Sequence, residues 1–162
     1  TNTLKNYYNY SKYFSFYEKN FSSISLYLQS ANSINNKNVK LSERITIPSS
    51  RLRGFEYGRV GPKDGDDFIG GNYAYSINFT SSLPYVFQDL QNLDLLFFAD
   101  IADIWGVDYN SSIKGDGTRS SLGIGLDWMT PVGPMTFSLA YPLSKETGDK
   151  TESFRFNLGT TF

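Results

Sequence analysis

Residues 72–80 read NYAYSINFT, and their alternation decides the fold: Tyr73, Tyr75, Ile77 and Phe79 fall on one face of an extended strand, with Asn72, Ala74, Ser76, Asn78 and Thr80 on the other. A helix, repeating about every 3.6 residues, would mix the two sets.

Working outward, the same two-residue period returns downstream. Leu122, Ile124, Leu126 and Trp128 oppose Ser121, Gly123, Gly125 and Asp127, and Met135, Phe137, Leu139 and Tyr141 oppose Thr136, Ser138 and Ala140. In the last segment Phe154, Phe156, Leu158, Thr160 and Phe162 face away from Ser153, Arg155, Asn157, Gly159 and Thr161. Upstream, Ile24, Leu26 and Leu28 alternate with Ser23, Ser25, Tyr27 and Gln29, and residues 8–16 form an aromatic-rich strand with Lys12 on its apolar face. Residues 93–105 are more continuously apolar, yet Asp94, Asp100 and Ala102 still oppose Phe97, Ala99 and Ile101. The expected fold is therefore all-β and antiparallel, with seven strands and no helix.

The connections sort alternately into two kinds. Residues 18–21, 82–92 with Pro84, and 130–134 (TPVGP) are mostly short; residues 35–71, 106–118 and 144–151 are longer and polar. Short turns at one end and long loops at the other are the asymmetry of a transmembrane β-barrel, whose strands need only about ten alternating residues. The polar face carries Ser, Thr, Asn, Gly and Asp rather than Lys and Glu, and aromatics gather near strand ends, which favours a barrel over the rival reading of a soluble β-sandwich binding module. Seven strands place the chain ends on opposite sides, so an odd number of further strands is expected upstream. The chain begins at Thr1 without a basic-then-apolar leader, as expected of a processed product or a piece of a longer protein.

Composition narrows the function. The 162 residues carry 15 Lys+Arg and 16 Asp+Glu, a net charge of −1, with no basic run, which sets nucleic acid aside. With neither Cys nor His, disulfides, thiolate nucleophiles, Cys-ligated zinc and Ser-His-Asp hydrolysis are excluded. Asp64, Asp66 and Asp67 do not meet a calcium-loop pattern and read as a solvated acidic tip. Asn9, Asn20, Asn78 and Asn110 head Asn-x-Ser/Thr triplets by chance in a Ser/Asn-rich chain; Gly123 and Gly125 lie within a strand, unlike a phosphate loop; Glu18, Glu146 and Glu152 lack a carboxylate partner for acid–base work. No catalytic residue, metal or cofactor is expected.

The loop at residues 35–71 is too long to be a mere connection. It carries RLRGFEYGRVGPK over residues 51–63: Arg53 is a planar five-donor fork suited to a carboxylate, Gly54 permits a turn, and Phe55 is an apolar anchor.

This RGF loop, followed by Gly61-Pro62, by GGN at residues 70–72, and by the runs GIGLDWMTPVGPMTFSLAYPL and GDKTESFRFNLGTTF, resembles the BamA family of outer-membrane β-barrel assembly factors. The resemblance spans nearly the whole chain and is tight from Arg51 onward. It implies that residues 1–162 are the C-terminal part of one sixteen-stranded barrel in the bacterial outer membrane, with nine strands and periplasmic POTRA domains upstream. It also implies a non-enzymatic function: the barrel opens laterally between its first and last strands and inserts unfolded outer-membrane client proteins into the lipid bilayer, alongside assembly-complex lipoproteins and without nucleotide or metal. A two-partner-secretion-type translocation pore of the same superfamily is the nearest rival. Carried over residue by residue, Arg53 matches the loop arginine that turns into the lumen, and Asp100 matches its acidic partner on the wall. Asn78 stands where relatives often carry Glu, which removes a second carboxylate. The terminal strand, with Phe154, Phe156, Leu158 and Phe162, matches the weakly paired seam strand. In a wet lumen the Arg53–Asp100 bond is expected to be stronger than an exposed bridge and weaker than a buried one.

Overall fold

The computed structural model describes residues 2–159. In chain order its strands are β1 (Thr3–Phe14), β2 (Ser22–Ser33), β3 (Lys63–Asp64), β4 (Asp67–Phe68), β5 (Tyr73–Ser82), β6 (Leu93–Trp105), β7 (Arg119–Thr130), β8 (Gly133–Ser144) and β9 (Phe154–Leu158). Seven of them form one antiparallel sheet in the order β1-β2-β5-β6-β7-β8-β9, so each strand lies beside its sequence neighbour in the sheet. The sheet is open, with edges at β1 and β9. β1 begins earlier than its aromatic run suggests, because residues 3–7 pair in register with residues 29–33 of β2.

The alternation translates directly into two unlike faces. On the outer face Ile24, Leu28, Tyr73, Ile77, Leu122, Ile124 and Leu139 are exposed, an apolar surface that a protein in water would bury. Aromatic rings cluster towards both ends of this face: Trp105 lies against Tyr73 and Tyr75 near the long loops, and Phe79 contacts Phe16 and Phe97 near the short turns. Two such belts are what a lipid-spanning sheet needs at its interfaces. No helix among the described residues is long and apolar enough to cross a membrane.

The buried core lies on the inner face, where the long loop packs against the sheet. Val39, Ile45, Ile47, Leu52, Phe55 and Val60 of the loop join Ala31, Ala74, Ala102 and Ile104 of the strands in one apolar cluster. Small wall residues at Ala31, Ala74 and Ala102 leave room for the loop's apolar side chains to pack against the sheet. The loop itself is ordered by 3-10 turns at Leu41–Glu43 and Ser49–Arg51, the β3–β4 hairpin, and an antiparallel bridge from Ile45 to Gly71.

Candidate functional site

The loop enters its inward turn at Pro48, whose carbonyl accepts the Arg51 N–H and closes the 3-10 turn. Arg53 follows, and β6 offers Asp100 from its inner face. The guanidinium donates from Nε to Asp100 Oδ2 at 2.8 Å and from Nη2 to Oδ1 at 2.7 Å, a bidentate fork, while the backbone N–H of Arg53 donates to Oδ2 at 2.9 Å. Asn78, directly opposite Asp100 in the β5–β6 register, adds a bond from Nδ2 to Oδ1 at 2.9 Å. Four N–H groups thus fill the lone-pair sites of one carboxylate, which fixes the loop's pose in both position and orientation.

Asn78 does more than replace an acid. Its Nδ2 also donates to the Arg51 carbonyl at 2.8 Å, and its Oδ1 accepts from Ser76 Oγ, so the amide ties the loop backbone to the Asp100 carboxylate. A glutamate there could accept but not donate when ionised. Below the fork, the Arg53 guanidinium lies 4.0 Å from the centre of the Phe98 ring, a stacked cation–π contact. That ring occupies the space a side chain would take at Gly123 on the neighbouring strand, so Gly123 is small because Phe98 covers it.

The site is dry, contrary to the hydrated lumen expected from sequence: the side chain of Asp100 is 0% exposed and that of Arg53 4%. The physical reason is the loop itself, which packs against the inner face with Leu52 and Phe55, the sequence neighbours of the Arg53-Gly54 turn, buried in the apolar cluster. Gly54 makes the reversal between Arg53 and Phe55. Its φ is +94°, and a Cβ there would sit 2.9 Å from that of Ala140. Phe55 then forms an antiparallel bridge with Thr151, flanked by bonds from Glu56 N to the Lys150 carbonyl at 3.0 Å and from Glu152 N to the Gly54 carbonyl at 2.9 Å.

Three further ion pairs, made by two arginines, hold the loops and were not found by sequence reasoning. Arg119, fully buried at the start of β7, donates from Nε to Asp149 Oδ2 at 2.8 Å and from Nη1 to Asp103 Oδ1 at 2.9 Å. Asp149 also accepts the Gly61 and Glu146 N–H groups, so one carboxylate joins three segments of the loop end. Arg44 bonds Asp108, the Val39 carbonyl and Asn72 Oδ1. Burial alone pushes the Asp108 carboxyl up, but the Val39 N–H, the Arg44 guanidinium and the Asn72 amide outweigh it and hold the group below its ordinary value. A signal for Arg119 was present in its phase: it shares the inner face with Ser121 and Gly123, where a cation needs a carboxylate.

The terminal strand is held by few bonds. Among the described residues β9 pairs β8 in register between Met135 and Leu139, with backbone bonds from Ala140 N to the Ser153 carbonyl and from Gly159 N to the Pro134 carbonyl at the ends, and Tyr141–Ser144 pair with β7 on one side while no strand lies on their other side. Phe154, Phe156 and Leu158 all point outward and are exposed, and the Phe137 ring of β8 lies tilted against both the Phe154 and the Phe156 rings. Phe162 lies outside the described residues. Asp64, at the β3–β4 hairpin, accepts a hydrogen bond from Tyr109, and no group of three or more acidic side chains among the described residues is placed to hold a metal ion.

An Omp85 superfamily domain model matches residues 1–162. The outer membrane protein assembly factor BamA of Neisseria meningitidis serogroup B is 34% identical over 68% of this chain and 17% of its own length. A SAM50-like protein of Schizosaccharomyces pombe is 30% identical over 86% of this chain and 31% of its own. The crystal structure of BamA from Haemophilus ducreyi lacking POTRA domains 1–3 superimposes on 95% of this chain and 34% of that one, with a TM-score of 0.82 and 27% identity. The chain thus spans about a sixth of the Neisseria relative.

Proposed function

The chain belongs to the Omp85 superfamily, and on that premise we propose that it forms the closing seven strands of an outer-membrane barrel that inserts other β-barrel proteins into the bilayer. The observation that carries this reading is the mismatch at the seam: β8 is a long strand, yet β9 pairs with only part of it. An edge with unpaired N–H and C=O groups is a template for another strand, and in hydrocarbon those groups demand a partner. β9, weakly held on β8 and, among the described residues, free on its other side, is that edge, and a client strand meets the demand by pairing along β9, so the energy that makes the seam unstable drives client recruitment.

In this reading the wall from β5 to β8 stays rigid while β9 moves. The Arg53 fork keeps the long loop seated, the outward Phe154, Phe156 and Leu158 disturb lipid packing beside the seam, and no nucleotide or metal takes part. The test is client folding by the complete protein in liposomes, read as the fraction of an unfolded outer-membrane barrel that becomes heat-modifiable and protease-resistant. Acceleration without nucleotide supports the proposal. Translocation of a soluble passenger into the vesicle, with no acceleration of barrel insertion, overturns it in favour of the secretion pore.

A further inference from the structure

From the geometry between the loop and β9 we infer that Arg155 is a positioning residue for the seam strand, and that the RGF loop is a brace running between β6 and β9 on the inner face. Arg155 is the one cation in the β9 sequence FRFNL, and it alternates with the outward Phe154 and Phe156, so its side chain turns inward. There its guanidinium donates from Nη1 to the Ser49 carbonyl and from Nη2 to the Phe55 carbonyl, each at 3.0 Å. Its acidic neighbour Glu152 stands at 3.8 Å, beyond hydrogen-bonding reach, so the two loop carbonyls are the bonds that direct the side chain.

The two acceptors flank Arg53 in sequence. The loop is therefore gripped from one side by Asp100 on β6 and from the other by Arg155 on β9. Those strands are three places apart in the sheet, roughly 14 Å at about 4.8 Å per strand. A seated loop spans that distance on the inside, and the position of β9 relative to the wall then depends on the loop as well as on its pairing with β8. Among the described residues that pairing covers Met135–Leu139 with one flanking backbone bond at each end, so the two Arg155 bonds add a second, inner attachment for the strand. The guanidinium presents a separate nitrogen to each carbonyl in a fixed plane, whereas Lys would have to bring one ammonium within reach of both. The link of this brace to client entry rests on the insertase reading; the brace itself does not.

The test is hydrogen exchange on the complete protein in lipid nanodiscs, comparing wild type with Arg155→Met and Arg155→Lys. Losing two bonds from a charged donor is expected to raise exchange at the amides of residues 152–156 and 56–59 by roughly tenfold or more. Amides of β6 and β7 are expected to keep their wild-type protection, and Arg155→Lys to fall between the two. Arg53→Ala, acting at the other end of the brace, is expected to loosen residues 152–156 as well. Unchanged exchange at residues 152–156 in Arg155→Met overturns the inference, as does a uniform rise across β6 to β9, which would make Arg155 a general stability residue. Client-folding assays on the same samples separate the two proposals: a loosened β9 in a protein that never inserts clients retains the brace and sinks only the insertase reading.

Discussion

Removing the two partners of the fork one at a time, and then together, distinguishes a clamp from two independent residues. Asp100 accepts four N–H groups, two from the Arg53 side chain, one from its backbone and one from Asn78, and it is fully buried. Asp100→Ala strands all four donors and leaves a buried guanidinium without its carboxylate, at a cost of about 3–5 kcal/mol. Arg53→Ala is milder, because the residue 53 backbone N–H and Asn78 Nδ2 remain on the carboxylate. Its cost is about 1.5–3 kcal/mol, the range for losing a hydrogen bond to a charged group. In the double variant neither charge is left unpaired, so its loss is expected within about 1 kcal/mol of Asp100→Ala alone, a coupling of roughly 1–3 kcal/mol. The assay is urea unfolding of the complete protein in lipid vesicles, with midpoints read from heat-modifiable migration and client folding measured in parallel. Strictly additive losses would refute the clamp.

Three other expectations follow from individual positions. Gly54→Ala forces a side chain into a left-handed turn and against Ala140, and is expected to cost about 1–3 kcal/mol, seen as a lowered urea midpoint. Ile124→Arg, on the outer face near the middle of β7, is expected to cost about 2–4 kcal/mol, whereas Ser138→Ala on the inner face is expected to cost under about 1 kcal/mol; equal losses would mean the faces are misassigned. Asp108 has a folded pKa below its ordinary value, so its contribution to loop stability is fully present above about pH 4 and is lost as pH falls through the depressed value. Hydrogen exchange of residues 39–45 is expected to accelerate on acidification, and Asp108→Asn to remove that acid step.

The sheet was legible because its physics is local. One face meets lipid and the other meets a loop, so alternation of side-chain type along NYAYSINFT and its counterparts reports facing directly. The RGF loop and its Asp100 partner were legible through family resemblance rather than spacing, since 47 residues separate them. Arg119–Asp149 and Arg44–Asp108, 30 and 64 residues apart, carried no resemblance signal; the phase of Arg119 on β7 marks an inward cation, but the loop partners of both arginines leave no periodic trace. The dryness of the fork was also out of reach, because it depends on how tightly the whole loop, with Leu52 and Phe55 buried, packs on the inner face. Asn78 shows the converse: from sequence it is a lost acid, and in the structure it is a donor that completes the Asp100 shell.

The central claim is that β9 pairs directly with client strands, and site-specific disulfide crosslinking during client insertion tests it most directly. The 162 residues contain no native cysteine, so Cys introduced at Phe156 or Leu158 reports only its own contacts within this chain. Strand pairing predicts crosslinks to a client's terminal strand at every second residue, with the preferred partner shifting by two residues between the Phe156 and Leu158 variants. Crosslinks spread without register along the client, or equally frequent from Cys at Ile77 on β5, would contradict it.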